Sequence, residues 1–340
     1  TGKYTAAPLC VVRPADTGEV VALVALASDT ETPVVPIGGN TGQTGGTYAP
    51  GAVLLSLERL NRIREVRPDA RVAVVEAGVV LEHLHEAAAP HGLAFPLTFG
   101  AKGSATLGGA MSTNAGGSNV LRYGNTRALV LGLEAVMPDG AVLDLMSALH
   151  KDNSGYDLRD LLIGAEGTLG IITAAVVKLV PLPRGYVTAM VTVASLDDAL
   201  VLLRQVQSET GGAVEAFEYM PGAYLDALAG MHPEMRLPLA PAAVNVMLEI
   251  GITAAADVEP GPDGTAPALV RLEDLLGAEM EAGRVLDAVL ARSESQRREI
   301  WALREAAAEV TLAITPNVVN DIACLLYTSP SPRDLRQDLV

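Results

Sequence analysis

The chain has 340 residues, of which 49% are hydrophobic and 19% charged, and this is enough apolar material for two domains with cores of their own. Its formal net charge of −16 argues against nucleic acid or an anionic membrane as the main partner, because most of the surface would repel either. No apolar run of about 18 residues and no signal-peptide pattern occurs, so we expect no transmembrane segment and a cytoplasmic protein.

The N-terminal half predicts alternating strands and helices. Asp16 followed by Glu19 forms a capping-box pattern that predicts a helix start. Gly92 suits the left-handed position after a helix end, and the Pro-Asp-Gly sequence at 138–140 predicts a hairpin turn. We predict strands at 9–13, 33–37, 53–56, 72–77, 131–137, 141–145 and 170–180, and helices at 20–28 and 81–91.

Two prolines, Pro181 and Pro183, mark a predicted domain boundary because neither continues a strand or helix. Beyond them the pattern is typical of a small α+β cap on an antiparallel sheet. We predict strands at 187–193, 213–219 and 243–249 and helices at 196–208, 223–230, 269–282 and 293–311. The predicted class is therefore α+β, with one domain over residues 1–183 and the cap, itself incomplete, over residues 184–323.

Both ends of the chain are unusual. The chain starts at Thr1 without a methionine and reaches a strand within about ten residues, so we expect it to begin inside a longer protein. One back-translation of residues 324–334 matches, letter for letter, a transposase adapter used in sequencing libraries. We interpret residues 324–340 as a non-native tail from adapter read-through and expect the natural sequence to continue past Ala323. A natural Ser/Pro-rich tail is the alternative.

Three glycine-rich segments hold most of the functional information. They are the first glycine segment (residues 38–42, GGNTG), the second (108–117, GGAMSTNAGG) and the third (166–171, EGTLGI). Glycine permits positive φ and lets bare backbone N–H groups approach a ligand. One such segment is equally typical of a turn, and the first lacks the Rossmann G-x-G-x-x-G pattern. Three of them together indicate a large anionic cofactor.

The candidate cofactor-binding residues come from these segments and from the glycine-rich stretch at 96–117 that contains the second one. Asn40 and Thr41 add side-chain donors to the backbone N–H groups of the first glycine segment. We interpret Glu166 as a residue that pairs with backbone rather than as an acid catalyst. The full set is Pro36, Gly38, Gly39, Asn40, Thr41, Gly42, Gly100, Ala101, Ser104, Gly108, Thr113, Asn114, Gly116, Gly117, Glu166, Gly170 and Ile171.

Eight motifs follow one another along the chain. They are RPADTGEV (13–20), PIGGNTG (36–42), GAKGS (100–104), STNAGG (112–117), LRYGN (121–125), LGLEAVMPDG (131–140), LHKDNSGYDLRDLLIGAEGTLGIIT (149–173) and WALRE (301–305). In this order they resemble the PCMH-type flavoproteins of the vanillyl-alcohol-oxidase superfamily. Within that group the chain resembles the D-2-hydroxyglutarate and D-lactate dehydrogenase branch, over nearly all of residues 13–323.

The resemblance implies a two-lobed, PCMH-type FAD-binding domain followed by the cap. The pyrophosphate of FAD would lie on the first glycine segment, and the isoalloxazine between the later segments and the cap. FAD would be bound non-covalently, because none of the five histidines lies in a glycine segment. The implied reaction is oxidation of a small D-2-hydroxy acid to the 2-oxo acid by hydride transfer to flavin N5. Arg304 matches the position that binds the substrate carboxylate, and a solvated arginine paired with a glutamate is the alternative.

The chain departs from the branch in two places. A threonine and a lysine that bind a second substrate carboxylate in hydroxyglutarate-type members are replaced by Ala308 and Val319, so a strict D-2-hydroxyglutarate preference does not follow. The histidine-rich segment that supplies the metal ligands and the catalytic base would lie after Ala323. We therefore predict no metal ligand and no catalytic base in this fragment, expect it to be inactive alone, and expect a divalent metal such as zinc only in the full-length protein.

The electron acceptor is not specified by the sequence, and a quinone, a cytochrome and an electron-transfer flavoprotein all remain open. The family makes a homodimer the expected assembly. Two other functions also remain open: another flavin oxidase of the same fold, and a flavin-binding fragment without turnover.

Overall fold

The computed structural model describes residues 7–42, 44–262 and 264–313. Within them, strands form sheets of three, two, four and five members. The first three strands and one helix make the first lobe, the five-stranded sheet is the centre of the second lobe, and the four-stranded sheet is the centre of the cap. Val319 and the tail predicted at 324–340 lie outside the described residues.

The first lobe is a small parallel sheet with one helix. Its elements are β1 (Cys10–Val12), α1 (Thr17–Asp29), β2 (Val34–Ile37) and β3 (Val53–Ser56), with the strands in the order β1-β3-β2. Helix α1 starts at the predicted capping box: Glu19 N–H donates to Asp16 Oδ1 at 2.9 Å, and Glu19 Oε2 accepts from Ala15 N–H at 2.7 Å. The β2 strand leads directly into the first glycine segment.

The second lobe is built on an antiparallel sheet in the order β4-β5-β9-β7-β8. Its core contains Leu81 and Leu84 of the helix at Leu81–Ala88 and Leu133 of the strand at Val130–Val136, all fully buried. The elements in chain order are β4 (Ile63–Arg67), β5 (Val72–Glu76), α2 (Leu81–Ala88), β6 (Leu93–Ala94), α3 (Leu107–Ser112), α4 (Val120–Tyr123), α5 (Thr126–Leu129), β7 (Val130–Val136), β8 (Val142–Leu145), α6 (Leu158–Leu162), β9 (Ile171–Lys178) and β10 (Val180–Pro181).

The two lobes meet where α1 lies against β7. Glu134 on β7 accepts hydrogen bonds from Thr17 Oγ1 at 2.7 Å and from Thr173 Oγ1 at 2.6 Å. Thr17 is the first residue of α1 and Thr173 lies on β9. A single carboxylate on the second lobe therefore holds the N-terminal end of the helix of the first lobe.

The cap is an antiparallel sheet in the order β12-β13-β11-β14 with helices on both faces. Its elements are β11 (Gly185–Val193), α7 (Leu196–Glu209), β12 (Val214–Pro221), α8 (Gly222–Met231), β13 (Val244–Ile252), α9 (Ala255–Val258), α10 (Pro267–Glu281), β14 (Val285–Leu290), α11 (Glu294–Glu305) and α12 (Ala307–Ala313). The prediction of one helix over 293–311 is wrong, because the chain turns at Ala306 and α12 then packs Val310 into the core beside α8.

The two faces of the cap sheet differ in chemistry. Helices α7 and α10 cover a face of aliphatic side chains such as Val191, Leu248 and Ile250. Helices α8, α11 and α12 cover the opposite face, to which β12 and β13 contribute Glu215, Glu218 and Glu249, and we call this the carboxylate face. The pairing of β12 with β13 shifts by one residue between Val214 and Ala216, and this bulge turns Glu215 toward the carboxylate face.

Glu249 fastens α11 to this sheet. Its side chain is only 3% exposed. It accepts hydrogen bonds from Thr188 Oγ1 at 2.6 Å, from Arg297 Nε at 2.7 Å and Nη2 at 2.8 Å, and from Trp301 Nε1 at 2.7 Å. Arg297 also stacks 4.1 Å from the ring centre of Tyr186. A buried carboxylate with this many donors is satisfied, and its loss would leave Arg297, which is 22% exposed, with Glu294 as its remaining carboxylate partner among the described residues.

We therefore expect Glu249→Ala to lower the free energy of unfolding by about 3–5 kcal/mol, the usual cost of breaking a buried ion pair. The matched control is Glu273→Ala, which removes an ion pair with Arg292 whose side chains are 38% and 49% exposed and should cost less than about 1 kcal/mol. Urea denaturation followed by circular dichroism measures both. Equal losses for the two variants would contradict the anchoring role of Glu249.

Candidate functional site

The first glycine segment lies against the stretch that leads into α3. A Cβ added to Gly39 would be 1.9 Å from the Ser104 carbonyl oxygen, and one added to Gly38 would be 2.3 Å from Thr106 Oγ1. Both distances are far below any contact that a side chain tolerates. Glycine is thus required at both positions for the first lobe to approach the second this closely.

The third glycine segment closes the same site from the other side. Glu166 N–H donates to the Ser112 carbonyl at 2.9 Å, within the second glycine segment. Gly167 has a φ of +79°, and a Cβ there would be 2.4 Å from Cγ of Pro36 on β2. The structure therefore brings all three glycine segments together, although they are far apart in the sequence.

Each glycine segment contains one non-glycine residue in the left-handed region. These are Asn40 with φ 51°, Asn114 with φ 48° and Glu166 with φ 51°. Asparagine tolerates this conformation, whereas glutamate rarely adopts it, so Glu166 is held there by its surroundings. Asn40 Oδ1 accepts from Thr47 Oγ1 at 2.8 Å and Asn114 Oδ1 accepts from Arg127 N–H at 2.9 Å. Both amide oxygens therefore stabilise the loops themselves.

The backbone of the first glycine segment is free to bind a ligand. Within the described ranges, the N–H groups of residues 38–42 donate to no protein acceptor. A Cβ added to Gly42, or to Gly100 on the facing stretch, would meet no atom within 4 Å. Successive free N–H groups beside open space form an anion-binding nest. These features fit the pyrophosphate of a dinucleotide such as FAD.

Several other candidate residues lie where backbone segments pack against each other. Gly108 N–H donates to the Ala77 carbonyl at 2.7 Å, and a Cβ on Gly117 would be 2.4 Å from the Thr98 carbonyl. Ile171 starts β9 and is 7% exposed. The remaining candidates are Ala101 and Ser104, whose backbones bond to each other, Thr113 at the end of α3, Gly116 beside Asn125, Gly170 beside Val136, and Thr41 in the first glycine segment.

On the cap, Arg304 lies near the end of α11. Its Nε donates to Glu218 Oε2 at 3.1 Å, and the side chain is 37% exposed. Its two terminal nitrogens donate to no acceptor among the residues that the structure describes. Arg304 is therefore paired with a glutamate, as the solvated-arginine alternative predicts. Its terminal nitrogens still form a fork of donors without an acceptor among the described residues, as binding of a substrate carboxylate requires.

Sequence reasoning missed the contact that joins the cap to the second lobe. Arg122 Nη1 donates to Glu215 Oε1 at 2.8 Å and to the Gly251 carbonyl at 2.7 Å, and Tyr123 OH donates to Glu215 Oε1 at 3.0 Å. Burial raises the pKa of Glu215, and Arg122 opposes that rise. The detectable sequence features were the LRYGN motif and a carboxylate within the apolar strand β12.

Comparison with known proteins identifies the family. A model of the FAD binding domain matches residues 8–146, and a model of the C-terminal domain of FAD linked oxidases matches residues 182–329. A D-2-hydroxyglutarate dehydrogenase of Xanthomonas citri pv. viticola is 36% identical over 332 residues, which cover 97% of this chain and 67% of that protein. The chain belongs to the FAD-linked oxidases.

Two other relatives are similar to this chain over most of its length. The mitochondrial D-2-hydroxyglutarate dehydrogenase of Bos taurus is 36% identical over 97% of this chain and 58% of its own length. A D-2-hydroxyglutarate dehydrogenase of Stutzerimonas stutzeri is 33% identical over 97% of this chain and 68% of its own length. The chain thus spans between about half and two thirds of the length of its curated relatives.

Solved structures confirm the α+β fold. One structure of alkyldihydroxyacetonephosphate synthase superimposes with a TM-score of 0.63 at 20% identity, over 88% of this chain and 58% of that chain. A second structure of that enzyme gives a TM-score of 0.65 at 19% identity, over 88% of this chain and 54% of the other.

Neither a bilayer-spanning helix nor a metal-binding cluster occurs among the described residues. None of the helices there has the length and hydrophobicity to span a lipid bilayer. No group of three His, Cys, Asp or Glu side chains in that part of the chain is arranged to bind a metal ion.

Gly42→Ala tests the binding nest. Because the added methyl meets no protein atom, we expect the free energy of unfolding of the apoprotein to change by less than about 0.5 kcal/mol. If the open space holds the cofactor, FAD affinity should fall about tenfold or more. Flavin fluorescence quenching measures the affinity. Gly230→Ala on α8, also in open space, is the matched control, and equal FAD affinity in both variants would contradict the assignment.

Gly251→Ala tests the contact between the cap and the second lobe. A Cβ there would be 2.1 Å from Glu215 Oε1 and 2.7 Å from Arg122 Nη1. The neighbouring Arg184, whose N–H donates to the Ile252 carbonyl at 2.7 Å, should then be cleaved by trypsin about tenfold faster, because local opening becomes easier. Gly277→Ala on α10, in open space, should leave the cleavage rate unchanged.

Proposed function

We propose that the chain is the flavin-binding and cap part of a FAD-dependent dehydrogenase that oxidises a D-2-hydroxy acid to the 2-oxo acid. The observation that supports this most directly is the free donor fork of Arg304 on the cap of a FAD-linked oxidase. The relatives named D-2-hydroxyglutarate dehydrogenases support the same reaction.

Different residues of the chain bind different parts of the cofactor and the substrate. The free N–H groups of the first glycine segment hold the pyrophosphate. The Glu166 side chain is exposed, and a Cβ on Gly46 would be 3.3 Å from its Oε2. The Glu166 carboxylate would repel a phosphate, so it accepts hydrogen bonds from hydroxyl groups of the cofactor instead. Arg304 binds the substrate carboxylate through its terminal nitrogens.

Bound FAD would be the oxidant that accepts hydride from the substrate Cα–H bond. The protein orients the substrate by its carboxylate, so that the reacting carbon is held in one position. His85 is not a suitable base: its Nε2 lies 3.0 Å from the Leu97 carbonyl, and burial lowers the pKa of its ring. We assign the proton acceptor to the histidine-rich segment expected beyond Ala323.

The substrate side chain need not carry a second carboxylate. Ala308 is exposed and offers no donor, where the resemblance places a threonine. We therefore propose a D-2-hydroxy acid of the D-lactate or D-2-hydroxyglutarate type without a strict preference for the dicarboxylate.

The other expectations remain predictions. They are a divalent metal such as zinc in the full-length protein, the three classes of electron acceptor, and the homodimer. The cytoplasmic location also stays a prediction, since six of the relatives are named as mitochondrial proteins.

The experiment uses the FAD-loaded chain without oxygen. We expect D-lactate or D-2-hydroxyglutarate to shift the flavin absorption spectrum on binding, and the L enantiomers to have at least about tenfold less effect. Arg304→Ala should remove the response while the protein retains FAD. A flavin spectrum that no hydroxy acid alters would favour the flavin-binding fragment without turnover, and a protein that retains no FAD would contradict the proposal altogether.

A further inference from the structure

In the part of the chain that the structure describes, Arg304 is held at one edge only. Arg297, two turns earlier on α11, donates Nε and Nη2 to Glu249 and Nη1 to Glu294. Toward the described residues, Arg304 donates only through Nε, to Glu218 Oε2 at 3.1 Å. A guanidinium held at Nε presents its other edge as a planar pair of donors. Of these two arginines, Arg304 is therefore the one prepared for a further anion.

The backbone beside Arg304 is also fixed. Tyr224 OH donates to the carbonyl of Leu303, which is 1% exposed. One turn before Arg304, Trp301 donates to the buried Glu249. The Cα of Arg304 is thus constrained by the packing of α11, and Glu218 constrains the far end of the side chain.

We propose that Glu218 is a positioning residue that orients Arg304 as a carboxylate receptor, an inference that rests on the proposed function of this site. The charge of Glu218 alone would have the opposite effect, because it repels an incoming carboxylate. Glu218 therefore aids binding only by limiting the rotamers of a long side chain, which would otherwise lose that freedom when the substrate binds.

Two substitutions separate geometry from charge. Glu218→Gln keeps an oxygen that accepts from Nε and removes the charge, whereas Glu218→Ala removes both. The probes are pyruvate and 2-oxoglutarate, which keep the substrate carboxylate and lack the hydroxyl that is oxidised. Isothermal titration calorimetry on the FAD-loaded chain measures their affinity.

We expect Glu218→Ala to bind the probes about three- to tenfold more weakly, because Arg304 then loses its rotamer freedom when the probe binds. Glu218→Gln should stay within about threefold of the unaltered chain, because the amide oxygen still orients Arg304. Tighter binding by both variants would show that Glu218 acts by charge alone, and unchanged binding by Glu218→Ala would show that it does not act on Arg304. Either result overturns the proposal.

The control is Glu273→Gln, which alters an exposed ion pair on α10 and should leave probe affinity unchanged. Melting temperature and flavin content report whether each variant folds. If Glu218→Ala does not fold, Glu218→Leu replaces it, because it keeps a side chain of similar size and offers no acceptor to Arg304 Nε. We expect the same weaker probe binding, and unchanged binding would overturn the proposal.

Arg304→Ala separates this inference from the proposed function. It should abolish probe binding while FAD is retained. If FAD is retained and probe affinity is unaltered, the carboxylate receptor lies elsewhere, and the inference on Glu218 fails while the flavin assignment stands. If the unaltered chain retains no FAD, the proposed function fails, and the same titrations on the apoprotein decide the role of Glu218.

Discussion

The close approach of backbone to backbone between the first glycine segment and the stretch that leads into α3 sets the geometry of the N-terminal half. At Gly39 a methyl group would lie 1.9 Å from a carbonyl oxygen, a separation that no rearrangement of a side chain could relieve. Because the lobes meet there without side chains, the N–H groups that follow face open space instead of a packed core. The candidate cofactor site thus arises from the way in which the two lobes contact each other.

The cap depends on a different interaction, in which carboxylates on one sheet face are matched by arginines on other elements. Glu249 pairs with Arg297, Glu218 with Arg304, and Glu215 with Arg122 of the second lobe. Buried charges of this kind add little net stability, because desolvation offsets the attraction, but they penalise every arrangement that leaves one unpaired. They therefore specify where α11 and the second lobe dock on the cap.

Much of this fold could be predicted from the sequence, and the errors have physical causes. Capping residues and turn glycines revealed α1 and the hairpin of β7 and β8, and hydrophobic runs revealed the central strands. Strand β4 (IREVR) and strand β14 (VLDAVL) were missed. Both are edge strands whose charged residues face solvent, so their hydrophobic pattern is weak.

The candidate site was predictable in composition but not in its long-range partners. Glycine content indicated where backbone would approach a ligand, yet nothing local shows that Gly39 meets Ser104. Strict alternation along β12 would place Glu215 with Phe217, on the face covered by α7 and α10. The bulge reverses that assignment, and a one-residue irregularity of this kind leaves no clear trace in the sequence.

Because of that bulge, the contacts of Glu218 and of Glu215 on β12 can change independently of each other. Glu218 keeps its orientation through the regular pairing with β13 beyond the bulge, whereas Glu215 is itself the extra residue of the bulge and reaches Arg122 from there. Removing that residue would restore simple alternation and break the contact with the second lobe, while the strand after the bulge keeps its register. A change of one residue in length could therefore alter how firmly the cap is attached without redesigning the surface that faces α11.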